Sequence, residues 1–480
     1  MKKLLFIVAL VLFITPIYAQ EGGCGTVLSA KQKAWLDQFV QNELQAGRQT
    51  KSVTRYIPLK AHIIGTDEGV GYYPVSTLLT VICELNVKYA PVNFVFYLYG
   101  DIDYINNSNF YNDGSSFDAT NTMAQQNVPD LLNVYFVQAS PGLCGYYSPN
   151  LDCVVIIGSC GQPGGTTITH EFGHFFNLPH TFDGWENNTT PPLNKQEKVN
   201  GSNCSTAGDK FCDTPADYIS TRWNCPYTGT KLDQTGTPYN PDPTLYMRYS
   251  SDACQSRFSP QQITTMQADA ANRPTMINHT PPSNFTPVTT APTNCFPTGF
   301  ISGMNPNATT FTWSKPAGAE LTYLQIRKYG LGAFVADIIT ADSFYTFSGL
   351  EPLTAYQWKV KCFNEGNTCG NAATYTAFNY FVTDDVSSGI SSTTSKVDCS
   401  IFPNLLMHGS TSKLVLTTTK AEEMKVQIVT LNGQLISEQL IQVHEGGNAI
   451  NLNVSDLNSG IYMVKVESSV FTSTKKLVIQ

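Results

Sequence analysis

Short runs of alternating or continuous apolar residues dominate this chain, and helical periodicity is confined to a few places. The segments 55–64 (RYIPLKAHII), 92–99 (VNFVFYLY), 131–137 and 153–158 are rich in β-branched and aromatic residues and predict strands. Between the first two, Leu78, Ile82, Leu85 and Tyr89 recur on one helical face behind Ser76, which predicts a helix capped by that serine. A polar helical stretch spans 31–49. Two stretches break the pattern: 281–294 is rich in proline and threonine and 384–398 in serine and threonine, and both read as linkers. Between and after them, 295–383 and 399–480 carry closely spaced short strand signals without helices. The expected fold class is an α+β N-terminal domain over 55–280, with a mixed twisted sheet and the key helix after it, followed by two all-β sandwich domains. A length of 480 residues agrees with about three domains.

The opening MKKLLFIVALVLFITPIYA places two lysines before an apolar stretch and ends on a small residue. Residues 1–19 therefore read as a secretory signal peptide, too short in its apolar part to span a bilayer. A lipoprotein would need its cysteine directly after small residues and a leucine, whereas Cys24 follows Glu21, Gly22 and Gly23. No later segment has the length and apolarity of a membrane span. Export explains the 13 cysteines, whose odd number leaves at least one unpaired. A net charge of −8 without a basic run argues against nucleic acid or an anionic membrane as the main partner.

The chemistry concentrates in HEFGHFFNLPH, residues 170–180. On a helix, His170 and His174 share a face and two imidazoles can grip one zinc ion, with Glu171 beside it. A catalytic zinc takes three protein ligands and keeps a position for water, so a third ligand must arrive from elsewhere. His180 serves if the helix stops and the chain turns sharply at Asn177, a residue type that tolerates the left-handed conformation, with Pro179 preventing helical continuation. Three of the seven histidines within eleven residues are hard to explain as core filling. Glu171 is then the general base, and a structural metal site would need no such carboxylate.

The HExxH string with its third histidine resembles the metzincin zinc proteases, and Leu245–Ser250 (LYMRYS) resembles their Met-turn. That resemblance implies that Met247 floors the metal site and that Tyr249 steadies an oxyanion; Arg248 stands where an acidic residue is usual. His180-Thr181-Phe182, Gly208-Asp209 and Asp213-Thr214-Pro215 narrow the resemblance to the pappalysin family, over roughly 55–275. It implies an endopeptidase acting on proteins or peptides, with a structural calcium for which Asp209, Asp213 and Thr214 offer oxygens. Cys225 with Cys254 would tie the intervening loop to the Met-turn, and Cys204 with Cys212 could close a small ring. Cys24, in GCGT within a pro-segment 20–54, matches a family latency switch in which its thiolate takes the water's position on zinc; a plain disulfide is the alternative. Cleavage among Arg48, Lys51 and Arg55 would release it. The middle block, with Trp313 early and Tyr356 late, resembles a fibronectin type III domain. The last block, 399–480, resembles the sorting domain of type IX secretion cargo, which implies that secretion machinery as a partner and the surface or surroundings of a Gram-negative bacterium. The competing readings are a non-catalytic surface adhesin with a structural metal, or a hydrolase of cell-wall peptide amides. Asp252, near the Met-turn, is expected to favour a basic substrate side chain.

Overall fold

The computed structural model describes residues 23–44, 53–186, 189–274, 278–299 and, with short gaps, 301–384 and 398–479. The stretch 1–19 read as a signal peptide, most of the stretch 384–398 read as a linker, Arg48 and Lys51 lie outside the described residues.

The first domain is built on a seven-stranded sheet. Its strands are β1 (Gly23–Cys24), β2 (Arg55–Gly65), β3 (Phe94–Leu98), β4 (Asp103–Asn106), β5 (Leu132–Val137), β6 (Leu143–Ser148) and β7 (Cys153–Ile157). They run in the order β1-β6-β7-β5-β2-β3, with β4 also paired to β2. All pairings are parallel except β6 with β7. β5 and β7 are buried along their whole length because helices cover both faces, which is why they read as continuous apolar runs. One face packs against α2 (Val75–Lys88), α5 (Thr167–Phe175) and α6 (Pro260–Ala270), with Phe96, Phe172, Phe175 and Met266 in the shared core. The other face packs against α3 (Ser108–Asn112) and α4 (Phe117–Gln126) through Phe110, Ala119 and Met123.

Several local expectations are corrected. Ser76 does not cap α2: the helix begins at Val75, after Pro74, whose side chain makes no cap hydrogen bond. The Val75 amide instead donates to Asp337 Oδ2 at 3.1 Å, a carboxylate of the middle domain 262 positions away, and no local pattern encodes such a cap. The polar helix is shorter than read: α1 covers Ala30–Phe39, opened by a reciprocal Ser29–Gln32 capping box, and continues as a π turn to Leu44. Arg55 is committed to β2, its amide donating to the Asn93 carbonyl at 2.9 Å, so it is not a free release point.

The middle domain is a two-sheet sandwich of three and five strands over a core that includes Phe311, Trp313, Leu324, Tyr356 and Trp358. The Tyr356 hydroxyl accepts from the Glu351 amide at 2.9 Å, tying the strand to the loop before it. This domain is docked on the first: Val75 and Leu79 of α2 bury against Tyr323 and Phe363. The segment read as a free linker at 281–294 is clamped between them, with Phe285 stacked on Tyr56 at 4.1 Å and its carbonyl accepting from Asn367 Nδ2 at 2.9 Å. The last domain is a second sandwich, again of three and five strands, cored by residues such as Leu414, Val426, Val464 and Leu477.

Candidate active site

Every residue of α5 from Ile168 to Phe175 is buried, because its outer face meets the Met247 turn and the β6 edge rather than solvent. The helix ends where the sequence suggested. Asn177 adopts φ 67°, the left-handed conformation, and the Leu178 amide donates to the Gly173 carbonyl at 3.0 Å. That reversal returns the chain so that His180 meets the face of His170 and His174. The Nε2 of His174 lies 3.1 Å from that of His170 and 3.1 Å from that of His180. The outer nitrogens are anchored: Nδ1 of His170 donates to the Tyr246 carbonyl and Nδ1 of His174 to the Leu178 carbonyl, each at 2.7 Å. His180 Nδ1 faces Glu186 Oε1 at 3.5 Å, and its ring stacks on Phe182 at 4.6 Å.

This arrangement fits a cation. With Nδ1 carrying the proton, the inward lone pairs of the Nε2 atoms face one another with no donor between them. Burial holds the imidazoles in the neutral form a metal requires: His170 is lowered to about 4, and His174 and His180 are driven well down by burial, with the charge of His170 acting on both and that of His180 on His174. A tetrahedral zinc with Zn–N near 2.05 Å needs ligand nitrogens roughly 3.3 Å apart, close to the observed spacing. Cys24 Sγ completes the group, with one ligand atom from each of the four residues within 4.8 Å of every other. Nitrogen and sulfur donors of this kind select zinc over calcium or magnesium.

The turn carrying Met247 lies beneath. Met247 is fully buried, its carbonyl accepts from the Thr181 amide at 2.9 Å, and a Cβ on Gly173 would stand 2.3 Å from its sulfur. Gly173 is therefore a packing necessity of the site. Gly173→Ala is expected to cost about 1–3 kcal/mol through overpacking and to weaken metal retention. Denaturant unfolding and metal analysis of the purified variant check this; wild-type values in both would refute it.

Glu171 is 1 % exposed, and burial pushes its carboxyl up to about 7. Its Oε2 accepts from Cys24 Sγ at 3.3 Å and from Thr26 Oγ1 at 2.9 Å. Thr26 in turn accepts from the Tyr147 amide of β6 at 2.8 Å. The segment 23–26 fills the cleft as a strand: Gly23 donates to the Gly142 carbonyl at 3.0 Å and Gly25 to the Gly145 carbonyl at 2.9 Å. The Tyr249 hydroxyl is held by the same segment, accepting from the Cys24 amide at 3.0 Å and donating to its carbonyl at 3.2 Å. Burial, with the charge of Glu171, raises the Cys24 thiol well above its ordinary value. Cys24 makes no disulfide, contrary to the alternative weighed from its position.

Cys204–Cys212 and Cys225–Cys254 are disulfides, as is Cys144–Cys160, which spacing gave no reason to pair. The calcium set is not assembled as read. Asp209 and Thr214 do meet, at 2.9 Å, and Asp209 also accepts from the Phe211 amide at 3.0 Å. Asp213 turns instead to the start of α6, accepting from Ser259 Oγ at 2.8 Å and the Gln261 amide at 2.7 Å. Glu197, 3 % exposed, lies within the electrostatic reach of Asp209, and its Oε2 has no hydrogen-bond partner. No motif announces it. Arg248 is paired with Asp217 at 3.1 Å and lies over Trp223 at 4.2 Å, which explains how a cation is tolerated after the methionine.

Residues 156–271 match the family model described as Pregnancy-associated plasma protein-A, and 400–480 match that of the secretion system C-terminal sorting domain. An extracellular metalloprotease of Colletotrichum graminicola is 30% identical over 279 residues, covering 52% of this chain and 90% of the relative. The chain belongs to the pappalysin family of metalloproteases. Extracellular metalloproteases of Neurospora crassa and Podospora anserina are 28% and 26% identical, covering 51% and 53% of this chain and 86% and 91% of themselves. A solved structure, the chicken CNTN1 FN1-FN3 domains, aligns over 41% of this chain and 66% of that one at 15% identity, but its TM-score of 0.18 carries no argument about fold. The sorting domain and the extracellular relatives support secretion or display at the cell surface for this pappalysin-family chain. No helix among its described residues is long and apolar enough to cross a membrane.

Proposed function

We propose that this chain is a zinc metalloendopeptidase of the metzincin type, exported by type IX secretion from a Gram-negative bacterium as a zymogen. The observation that carries the reading is the convergence of the Nε2 atoms of His170, His174 and His180 beside the buried carboxylate of Glu171. Zinc held there supplies a Lewis acid that polarises the scissile carbonyl and acidifies water. Glu171 takes the proton from the attacking water and passes it to the leaving amine, and a carboxyl pushed up to about 7 suits both roles. Tyr249, freed from the 23–26 segment, donates its hydroxyl to the developing oxyanion. Cys24 and Thr26 hold the precursor silent, one taking the open ligand position and the other the base. An adhesin with a structural metal would need no buried carboxylate at that place. The same machinery could cut a cell-wall amide, but the extracellular metalloprotease relatives favour protein substrates.

The deciding experiment is cleavage of casein by the full-length chain before and after limited trypsin treatment, each with and without a zinc chelator. Activity that appears after trypsin and vanishes with chelator is expected. One bound zinc per chain with no cleavage under any condition would refute the peptidase reading.

Calcium remains part of the proposal with an altered ligand set, Glu197 and Asp209 in place of Asp213. Burial and the neighbouring Asp209 push the Glu197 carboxyl up to about 10. A carboxyl raised on folding contributes stability that is full below its unfolded value near 4.3 and is lost as pH climbs toward the folded one. Without divalent ions, Tm should therefore fall steadily from about pH 5 to pH 9, and calcium should reverse the fall by pairing the ionised form. Identical Tm-against-pH curves in calcium and in chelator would refute the site.

A further inference from the structure

A cavity of about 240 Å3 opens beside His170 and Glu171, between the start of α5 at Thr166 and Thr167 and the loop carrying Arg222. Arg222 lines this space and pairs with Asp252, and neither residue is used by the metal cluster or the base. Arg222 Nη2 lies 2.8 Å from Asp252 Oδ1, with the side chains 34% and 36% exposed. The same oxygen accepts from Thr166 Oγ1 at 2.6 Å, and Thr166, nearly buried, directly precedes the helix that presents His170. Asp252 is thus tied to Thr166, which lines the cavity, and Arg222 already occupies the same carboxylate oxygen. The cavity's other arginine, Arg248, is held by Asp217 and Trp223.

We infer that Arg222 is a specificity-determining residue of the cleft: by pairing with Asp252 it turns away lysine and arginine next to the cleaved bond and favours neutral or acidic side chains. Asp252 alone, read from the sequence, pointed to a basic preference; its partner reverses the sign. An incoming ammonium or guanidinium would have to displace Arg222 from Oδ1 or stand beside it as a like charge in a partly desolvated space. A guanidinium carries five N–H donors, and those not spent on Asp252 suit a carboxylate or carboxamide.

The inference rests on the peptidase reading of the site, and its test keeps the two apart. The trypsin-activated full-length chain, with casein cleavage as the control, is given peptides differing only in Arg, Gln or Glu at each position flanking the cleaved bond. The wild type should cleave the Gln and Glu peptides at least as well as the Arg peptide. Arg222→Gln should raise the Arg-to-Gln ratio of kcat/KM about tenfold, and Asp252→Asn the Glu-to-Gln ratio by a similar factor. Binding of the same peptides to chains that also carry Glu171→Gln should follow the same order, which reads the subsite without turnover. A wild type that prefers Arg, or ratios and affinities unmoved by the substitutions, overturns the assignment; should Arg222→Gln not fold, Asp252→Asn decides alone. Failure of the wild type to cleave casein removes the peptidase reading, while the binding order still judges the pair.

Discussion

Replacing Glu171 with Gln leaves zinc bound and removes turnover. The carboxylate is not among the clustered ligand atoms, so metal content should stay at one per chain, measured by elemental analysis of the purified protein. Gln matches the shape of Glu and still accepts the Thr26 hydroxyl, so the fold is undisturbed. It cannot accept and return a proton. General acid–base groups contribute typically 10²–10⁴-fold, and because one residue here serves both directions of transfer, kcat on casein should fall toward the upper end, about 10⁴-fold. A loss of less than about tenfold, with zinc retained, would assign proton transfer elsewhere. Zinc loss in the variant would instead make Glu171 a structural support of the metal.

The second large effect concerns latency. Cys24→Ala removes the fourth ligand atom of the cluster and the thiol donor to Glu171, but leaves the strand pairing of 23–26 with β6. The full-length variant should therefore cleave casein without trypsin, at a rate at least tenfold above the untreated wild type, since water then competes for the metal position. Thr26→Val should release less: it frees the base and the Tyr147 amide while the sulfur remains. A Cys24→Ala chain as silent as the wild type, and awakened equally by trypsin, would place latency in the strand pairing alone.

Much of the site was legible locally. The i, i+4 spacing of His170 and His174 is a helix-face statement, and the stop at Asn177 and Pro179 is a statement about φ; both were realised as written because they depend on the backbone within eleven residues. Likewise Cys24 is visible as a thiol just after the apolar opening stretch, and the structure sets it against Glu171. Thr26, two residues on, carries no such signal, because nothing in GCGT says that its hydroxyl will meet a carboxylate 145 positions away. Nothing in HExxH marks Gly173, whose need for a bare Cα comes from Met247 packed against it.

By itself the sequence determined the order of elements and where the nitrogen and sulfur donors lie along the chain, since these follow from periodicity and composition. The tertiary structure decided which groups became partners. Asp337 caps a helix in another domain, Asp213 caps α6 rather than joining Asp209, and Arg222 rather than a substrate takes Asp252. Each of these is a choice between satisfied pairs of polar groups at large sequence separation. Burial makes an unpaired group costly whichever partner is taken, so the sequence sets the need for a partner and only the packed fold supplies it.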